Sequence, residues 1–193
     1  MTKSRIEAFS DGVIATIITL MVLELRVPNG RDWGDLVSIA PVFLSHVLSF
    51  LNIGIYWNNH HHMFQSVRQI SNWVMWANLH WLFWLALVPF TSGLIGEDLT
   101  ASMPMALYAF DLLMCSVAYS LLIMALAAAH GSDSHFAQVW KSDRKGKLSL
   151  AASLASLLLS FVAPWASMLV ILGVTLAWIV PDRRFARPDG SPQ

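Results

Sequence analysis

Three consecutive histidines, His60-His61-His62, stand in a strongly apolar chain. It also carries isolated carboxylates at Asp11 and Asp111 and further histidines at His46, His80 and His130. Such side chains ligate metals, hold haem or pass protons, so their spacing decides what they can do. Neighbours on a helix project about 100° apart, so His60, His61 and His62 cannot converge on one ion. The positions four residues beyond His60 and His62 are Phe64 and Ser66, and no cysteine or carboxylate lies nearby in sequence. A haem- or metal-binding membrane enzyme built on buried histidines stays as one alternative, without the paired spacing such sites need. A proton pathway, or a proton-coupled transporter, through Asp11, His80 and Asp111 is another. His46 reads as a hydrogen-bonded packing histidine. Neither a cofactor nor a resident metal is expected.

Asp11 belongs to the apolar stretch from Arg5 to Leu25. On a helix, Arg5, Phe9, Gly12, Thr16, Leu20 and Leu23 share a stripe about 80° wide, with Thr19 on its edge as an alternative polar layer. Asp11 points almost directly away, with Glu7, Val22 and Leu25, and is expected to face the bundle. Such a helix can line something with one face and anchor itself with the other. Arg5 and Phe9 are four residues apart, a spacing that suits a guanidinium stacked on a ring. Polar groups at membrane depth need partners. Trp57, Asn58, Asn59, His60, His61 and His62 come to a depth comparable with Asp11, as do Trp73, Trp76, Asn78, His80 and Trp81. A network joining Ser10 and Asp11 to one of these histidines and an indole N–H is predicted. Asp111 is expected to pair with a polar group on a neighbouring helix.

The elements that position these groups follow from composition. Of 193 residues, 56% are hydrophobic and only 12% charged, and the mean hydropathy is +0.56. Soluble domains carry about 25% charged residues, so the chain reads as an integral membrane protein. A net charge of zero gives no argument for nucleic acid, and the single cysteine, Cys115, excludes an internal disulfide. The first apolar segment is too long for a cleavable signal and contains Asp11. With about 17–25 residues needed per span, six transmembrane helices are expected, at approximately 4–25, 35–64, 70–94, 102–130, 147–162 and 164–180. They form one all-α domain over 1–193. With the N-terminus inside, the cytoplasmic ends hold Lys3, Arg5, Arg68, Lys141, Arg144, Lys145, Lys147, Arg183, Arg184 and Arg187, against Arg26 and Arg31 outside. That bias predicts a multi-pass protein of the cell (inner) membrane with both termini cytoplasmic. Trp33, Trp140, Trp165 and Trp178 read as interfacial anchors. Ala152, Ser156 and Ser160 form a small-residue stripe that reads as scaffold.

The motif R-x-x-x-F-S-D-G-V-x-A, from Arg5 to Ala15, runs into T-L-x-V-L-E-L at Thr19–Leu25. This resembles the first helix of the transmembrane-protein-175 family, the lysosomal and bacterial potassium channels. Tyr56-Trp57-x-x-His60-His61 followed by Phe64, and Asn78-Leu79-x-Trp81-Leu82 running into Pro89-Phe90, are similar to its second and third helices. Beyond about residue 100 the likeness is one of length and hydropathy. The resemblance implies a homotetrameric, potassium-permeable cation channel in the lipid bilayer, with potassium as the permeant ion and no enzymatic activity. In one isolated chain the Arg5–Leu23 stripe is ordinary packing. Four copies around an axis make it pore lining, with Thr16, Leu20 and Leu23 as the constriction and hydrophobic gate. Arg5, Phe9, Ser10, Asp11, Trp57, His60, His61, Asn78 and Trp81 then form the motif and its network. The resemblance also implies a pore without a carbonyl filter, and the chain accordingly lacks a Thr-Val-Gly-Tyr-Gly loop. One departure is Thr16, where many relatives have isoleucine.

Overall fold

The computed structural model describes residues 2–25, 27–28, 30 and 32–180. Arg26, Arg31, Arg183, Arg184 and Arg187 of the charge comparison lie outside the described residues. Every regular element among the described residues is helical: α1 (Lys3–Leu23), α2 (Trp33–Ser38), α3 (Ala40–Gln65), α4 (Asn72–Glu97), α5 (Ser102–His130), α6 (His135–Ser142), α7 (Arg144–Ser160) and α8 (Pro164–Ile179). Four of these, α1, α3, α4 and α5, are long and apolar enough to cross a membrane. At 1.5 Å per residue the 17 residues of α7 and 16 of α8 fall short of a hydrocarbon core about 30 Å thick.

Three boundaries differ from the sequence expectation. The stretch expected as one helix over 35–64 is broken at Ile39 (φ −89°, ψ 0°) into α2 and α3. Pro41 explains the break, since its ring clashes with the carbonyl four residues back and it has no N–H to donate. The helix expected to end near Gly93 continues to Glu97, carrying Pro89 within it. The segment expected from 147 starts three residues earlier, because Asp143 caps it through a 2.6 Å bond from the Gly146 N–H. The short α6 was not expected; Ser134 caps it, accepting from the Ala137 N–H at 3.3 Å. The expected helix over 102–130 appears as α5, ended by Gly131 at φ 92°, a conformation that favours glycine.

α4 lies at the centre of the bundle. It packs against α1, α3 and α5, and Val74, Trp81, Leu85, Val88 and Ile95 along it are fully buried. α5 carries the bundle on to α7 and α8. There the small-residue stripe behaves as a close contact: Ser156, Ser160 and Ser167 are fully buried, and the Ser156 and Ser167 hydroxyls are 2.8 Å apart. α1 sits at the opposite edge, packed mainly against α3 and α4. In the α4–α5 loop, the Thr100 hydroxyl and N–H both donate to Asp98 Oδ1, at 2.7 and 2.8 Å. The hydroxyl bond, and then the backbone bond, hold this exposed carboxyl below the usual range, so the loop stays anionic.

Candidate functional site

The face that α1 buries consists of Ile6, Ser10, Ile14, Ile17 and Met21, repeating at three- and four-residue spacing. The Arg5–Leu23 stripe lies beside that seam and is open along its length. Leu20 is 48% exposed, Leu23 74% and Phe9 49%, and Arg5, Gly12 and Thr16 are exposed with them. The Thr16 hydroxyl donates to the Gly12 carbonyl and the Thr19 hydroxyl to the Ala15 carbonyl, both at 2.9 Å. With their protons engaged, both oxygens are left as acceptors. The predicted Arg5–Phe9 stack does not form: among the described residues Arg5 lies over no ring. The N-terminal turn is held instead by Lys3, whose Nζ donates to the Gln65 carbonyl at 3.0 Å.

The predicted network of Ser10 and Asp11 divides in two. The buried branch runs through Ser10. Asn78 Nδ2 donates to Ser10 Oγ at 2.9 Å, which leaves Asn78 Oδ1 to accept from His60 Nε2–H, also at 2.9 Å. The His60 ring lies between Phe64 (centroids 4.3 Å apart) and Trp81 (4.8 Å, planes 10° apart). α1, α3 and α4 are thereby pinned at one point by a hydrogen-bonded chain inside an aromatic sandwich. Trp81 takes part by stacking alone, its buried Nε1 having no hydrogen-bond partner among the described residues.

The second branch corrects the expectation that Asp11 faces the bundle. Asp11 is exposed, one residue and so about 100° round the helix from Ser10. Its Oδ1 accepts from Trp57 Nε1 at 2.9 Å, and Trp57 stacks on His61. His61 in turn lies 3.0 Å from Gln65 Nε2. This tie runs over the flank of α1 and α3. Because the bond lies on the exposed flank and outside the packed core, Asp11→Ala is expected to cost about 0.5–1.5 kcal/mol, the net worth of one ordinary hydrogen bond. A thermal melt followed by circular dichroism checks this, and an unchanged melt would show that the tie contributes nothing to stability.

The other histidines are placed singly. His80 accepts from Trp84 Nε1 at 2.9 Å within α4. His130 donates from Nδ1 to the Leu126 carbonyl, and its Nε2 accepts from the N–H groups of Arg68 and Gln69, clasping the α3–α4 turn to the end of α5. His46 is only half-buried and, contrary to expectation, makes no hydrogen bond among the described residues. Among the described residues no three histidine, cysteine or carboxylate side chains are grouped to hold a metal ion. Asp111 finds its partner in Thr91, whose hydroxyl donates to Oδ2 at 2.9 Å. Sequence reading missed the hydroxyls of Ser49, Ser92 and Tyr108, which meet at 2.8 Å spacings between α3, α4 and α5. Their signal was serine recurring four residues apart, at Ser45 and Ser49, in an otherwise apolar helix.

Known proteins resemble this chain in sequence and fold. A profile of the family described as "Endosomal/lysosomal potassium channel TMEM175" matches residues 5–89, which contain the α1 motif, the His60–Asn78 chain and Trp81. A potassium channel of Chryseobacterium sp. (strain P1-3) is 42% identical over 187 residues, 97% of this chain and 97% of that protein. The chain belongs to the TMEM175 family of potassium channels. The crystal structure of a lysosomal potassium-selective channel TMEM175 homolog from Chamaesiphon minutus superposes with a TM-score of 0.81. That match is 28% identical and covers 96% of this chain and 98% of the other. The human endosomal/lysosomal proton channel TMEM175 is 37% identical over 83 residues, 37% of this chain and 16% of the human protein. TMEM175 membership and the apolar helices together make this a multi-pass membrane protein of a channel family, and not an enzyme.

Proposed function

We propose that four copies of this chain surround an axis with α1 innermost, forming a potassium-permeable pore across the cell membrane. The observation that carries this is the exposed stripe of α1, whose apolar Leu20 and Leu23 lie beside a well-packed seam. Along one edge of the stripe, at Gly12 and Thr19, and on the flank beyond it, at Ala8 and Ala15, the residues are small and exposed, and a side chain built at Gly12 would meet nothing. Small residues at that spacing suit a neighbouring helix approaching closely, here α1 of the next subunit. In this reading α7 and α8 are the fifth and sixth spans, and both termini are cytoplasmic.

Thr16, Leu20 and Leu23 then form three stacked layers, about 6 Å and 4.5 Å apart at 1.5 Å per residue. The leucine rings make a neck that opposes wetting, so an ion crosses only by shedding water. Sodium holds its water more tightly than potassium, and dehydration at the neck therefore favours potassium. Four Thr16 oxygens, their protons turned toward Gly12, offer a partly dehydrated ion acceptors just inside the neck. A haem or metal enzyme is disfavoured because Nε2 of His60 and both ring nitrogens of His130 are spent on protein partners. Potassium release from proteoliposomes tests the reading: flux above protein-free vesicles is expected, and its absence would sink it.

Arg5 has a definite expectation here. Being unstacked, four Arg5 side chains stand at the inner mouth and repel cations. Arg5→Gln is expected to raise single-channel conductance without loss of assembled protein on size exclusion. Disassembly instead would make Arg5 a contact between subunits.

A further inference from the structure

The ends of α3 and α5 and the start of α6 enclose a cavity of about 700 Å³. Small-molecule sites span about 300–1,000 Å³, so the cavity is large enough for one. Its walls are fixed by local chemistry. His130 Nδ1 is bonded within α5, and Nε2 accepts the N–H groups of Arg68 and Gln69, which holds the backbone of the α3–α4 turn in place. Gly131, at φ 92°, takes the chain out of α5, and Ser134 caps α6. The Phe136 ring is 2% exposed and lies 4.9 Å from the His130 ring, and both residues line the cavity.

The walls are rich in donors. Arg68, Gln65, Gln69 and Gln138 line the cavity, and no carboxylate does. The exposed Arg68 guanidinium makes no hydrogen bond or ion pair among the described residues. The Gln69 amide is exposed and unpartnered in the same sense. Lys3 Nζ, bonded to the Gln65 carbonyl at 3.0 Å, brings a second cation to the rim. α6 opens on the cavity with its N-terminal end, the positive end of its dipole. Asp133, next to Ser134 in sequence, is exposed and outside the wall. Such a cavity attracts an anion and repels potassium.

Depth selects the anion. The 29 residues of α5 make it about 43 Å long, and the 26 of α3 make it about 39 Å long, at 1.5 Å per residue. The hydrocarbon core is about 30 Å thick, and about 40–45 Å with the headgroups. The ends of both helices therefore reach the headgroup layer, where the anions are phosphates. A guanidinium pairs with two phosphate oxygens at once, and the amide N–H groups remain for the other oxygens or for hydroxyls on the ester.

We propose that this cavity binds an anionic phosphate ester, with Arg68 as its charged anchor and Gln69 as a second donor. Two sources offer that chemistry. One is a lipid headgroup with a net negative charge, such as phosphatidylglycerol; the other is a soluble ester arriving from the water. A zwitterionic headgroup fits poorly, because its ammonium would meet Arg68 and Lys3 and find no carboxylate in the wall.

The test uses the purified full chain in a mild non-ionic detergent. Native mass spectrometry counts the molecules of dioctanoyl-phosphatidylglycerol retained per chain, with dioctanoyl-phosphatidylcholine as the zwitterionic control. Calorimetric titration measures glycerol 3-phosphate, which is also added as a competitor for the lipid. One saturable anionic ester per chain is expected, with little retention of phosphatidylcholine. Arg68→Gln is expected to weaken binding about tenfold or more, since it removes a charge-assisted pair. Gln69→Leu removes a neutral donor and is expected to weaken it less. Both side chains are exposed and the bonds to His130 use the backbone alone, so both variants are expected to fold. Lys141→Gln removes the same charge from an exposed position outside the cavity and is expected to leave binding unchanged. Glycerol 3-phosphate that displaces the lipid upholds the site and gives it to a soluble ester. Lipid that it cannot displace upholds the site and gives it to the membrane. Binding of neither ester overturns the proposal, as does wild-type affinity in both Arg68→Gln and Gln69→Leu. Equal weakening by Arg68→Gln and Lys141→Gln also overturns it, because a basic surface without a site behaves that way.

Discussion

Leu20→Ala and Leu23→Ala are expected to raise cation flux and to admit sodium almost as readily as potassium. Each removes a ring of four branched side chains from the proposed neck, so water fills it and the ion keeps its shell. If the neck contributes about 1.4 kcal/mol to the difference between the two crossing barriers, losing it changes the permeability ratio about tenfold. A tenfold change moves a bi-ionic reversal potential by about 59 mV for a monovalent ion. Thr16→Ile is expected to keep the pore conducting with an altered potassium preference, since it removes the four outward-facing oxygens and adds apolar surface. The control is Val22→Ala. Val22 is also exposed in the single chain, but it lies about 100° or more from the stripe's centre, so its truncation should change stability and not selectivity. A selectivity loss confined to Val22→Ala would mean that α1 is turned so that another face lines the axis.

How much of this was readable in advance depends on the range of the interaction. Long apolar stretches with polar punctuation located α1, α3, α4 and α5, since helix periodicity and hydropathy are local properties. The break at Ile39 was also local, and Pro41 signalled it; the unbroken apolar character on both sides masked it. Asp11 illustrates the opposite case. Its angle from the stripe was right, but the direction of the bundle was not, because the seam buried against α3 and α4 is fixed by those helices. Ile6, Ser10, Ile14, Ile17 and Met21 could have been picked out as a second apolar line, yet nothing in α1 alone ranks it above the face carrying Asp11 and Val22. The Ser10–Asn78–His60 chain required three helices to be placed to within a hydrogen bond. Depth alone grouped its members and could not separate them from Asp11, Trp57 and His61. Asp111 and Thr91 are 20 residues apart across the α4–α5 turn, so their pairing became visible only with the packing of those helices.

The largest loss of stability is expected from Asn78→Leu. Asn78 is 2% exposed, Ser10 fully buried and His60 1% exposed, so no water can take the place of the amide. The substitution keeps the branched shape but strands the His60 N–H and leaves the Ser10 hydroxyl without its donor. A buried group left unpaired costs about 1–3 kcal/mol, so the two together cost about 2–6 kcal/mol, well above the exposed Asp11–Trp57 tie. Ser10→Ala strands one donor of Asn78 and should cost about half as much. His60→Phe keeps an aromatic ring between Phe64 and Trp81 while removing the donor to Asn78. The triple variant Ser10→Ala, His60→Phe, Asn78→Leu leaves none of the three polar groups behind, and replacing all partners by apolar groups of similar shape is close to neutral. It is therefore expected to melt at a higher temperature than Asn78→Leu alone, reversing the order that simple addition predicts. The measurement is the thermal midpoint of the purified protein in one detergent for all four variants. A triple variant that melts below Asn78→Leu would show that the three residues stabilise the helix junction through packing, and that their hydrogen bonds are incidental to it.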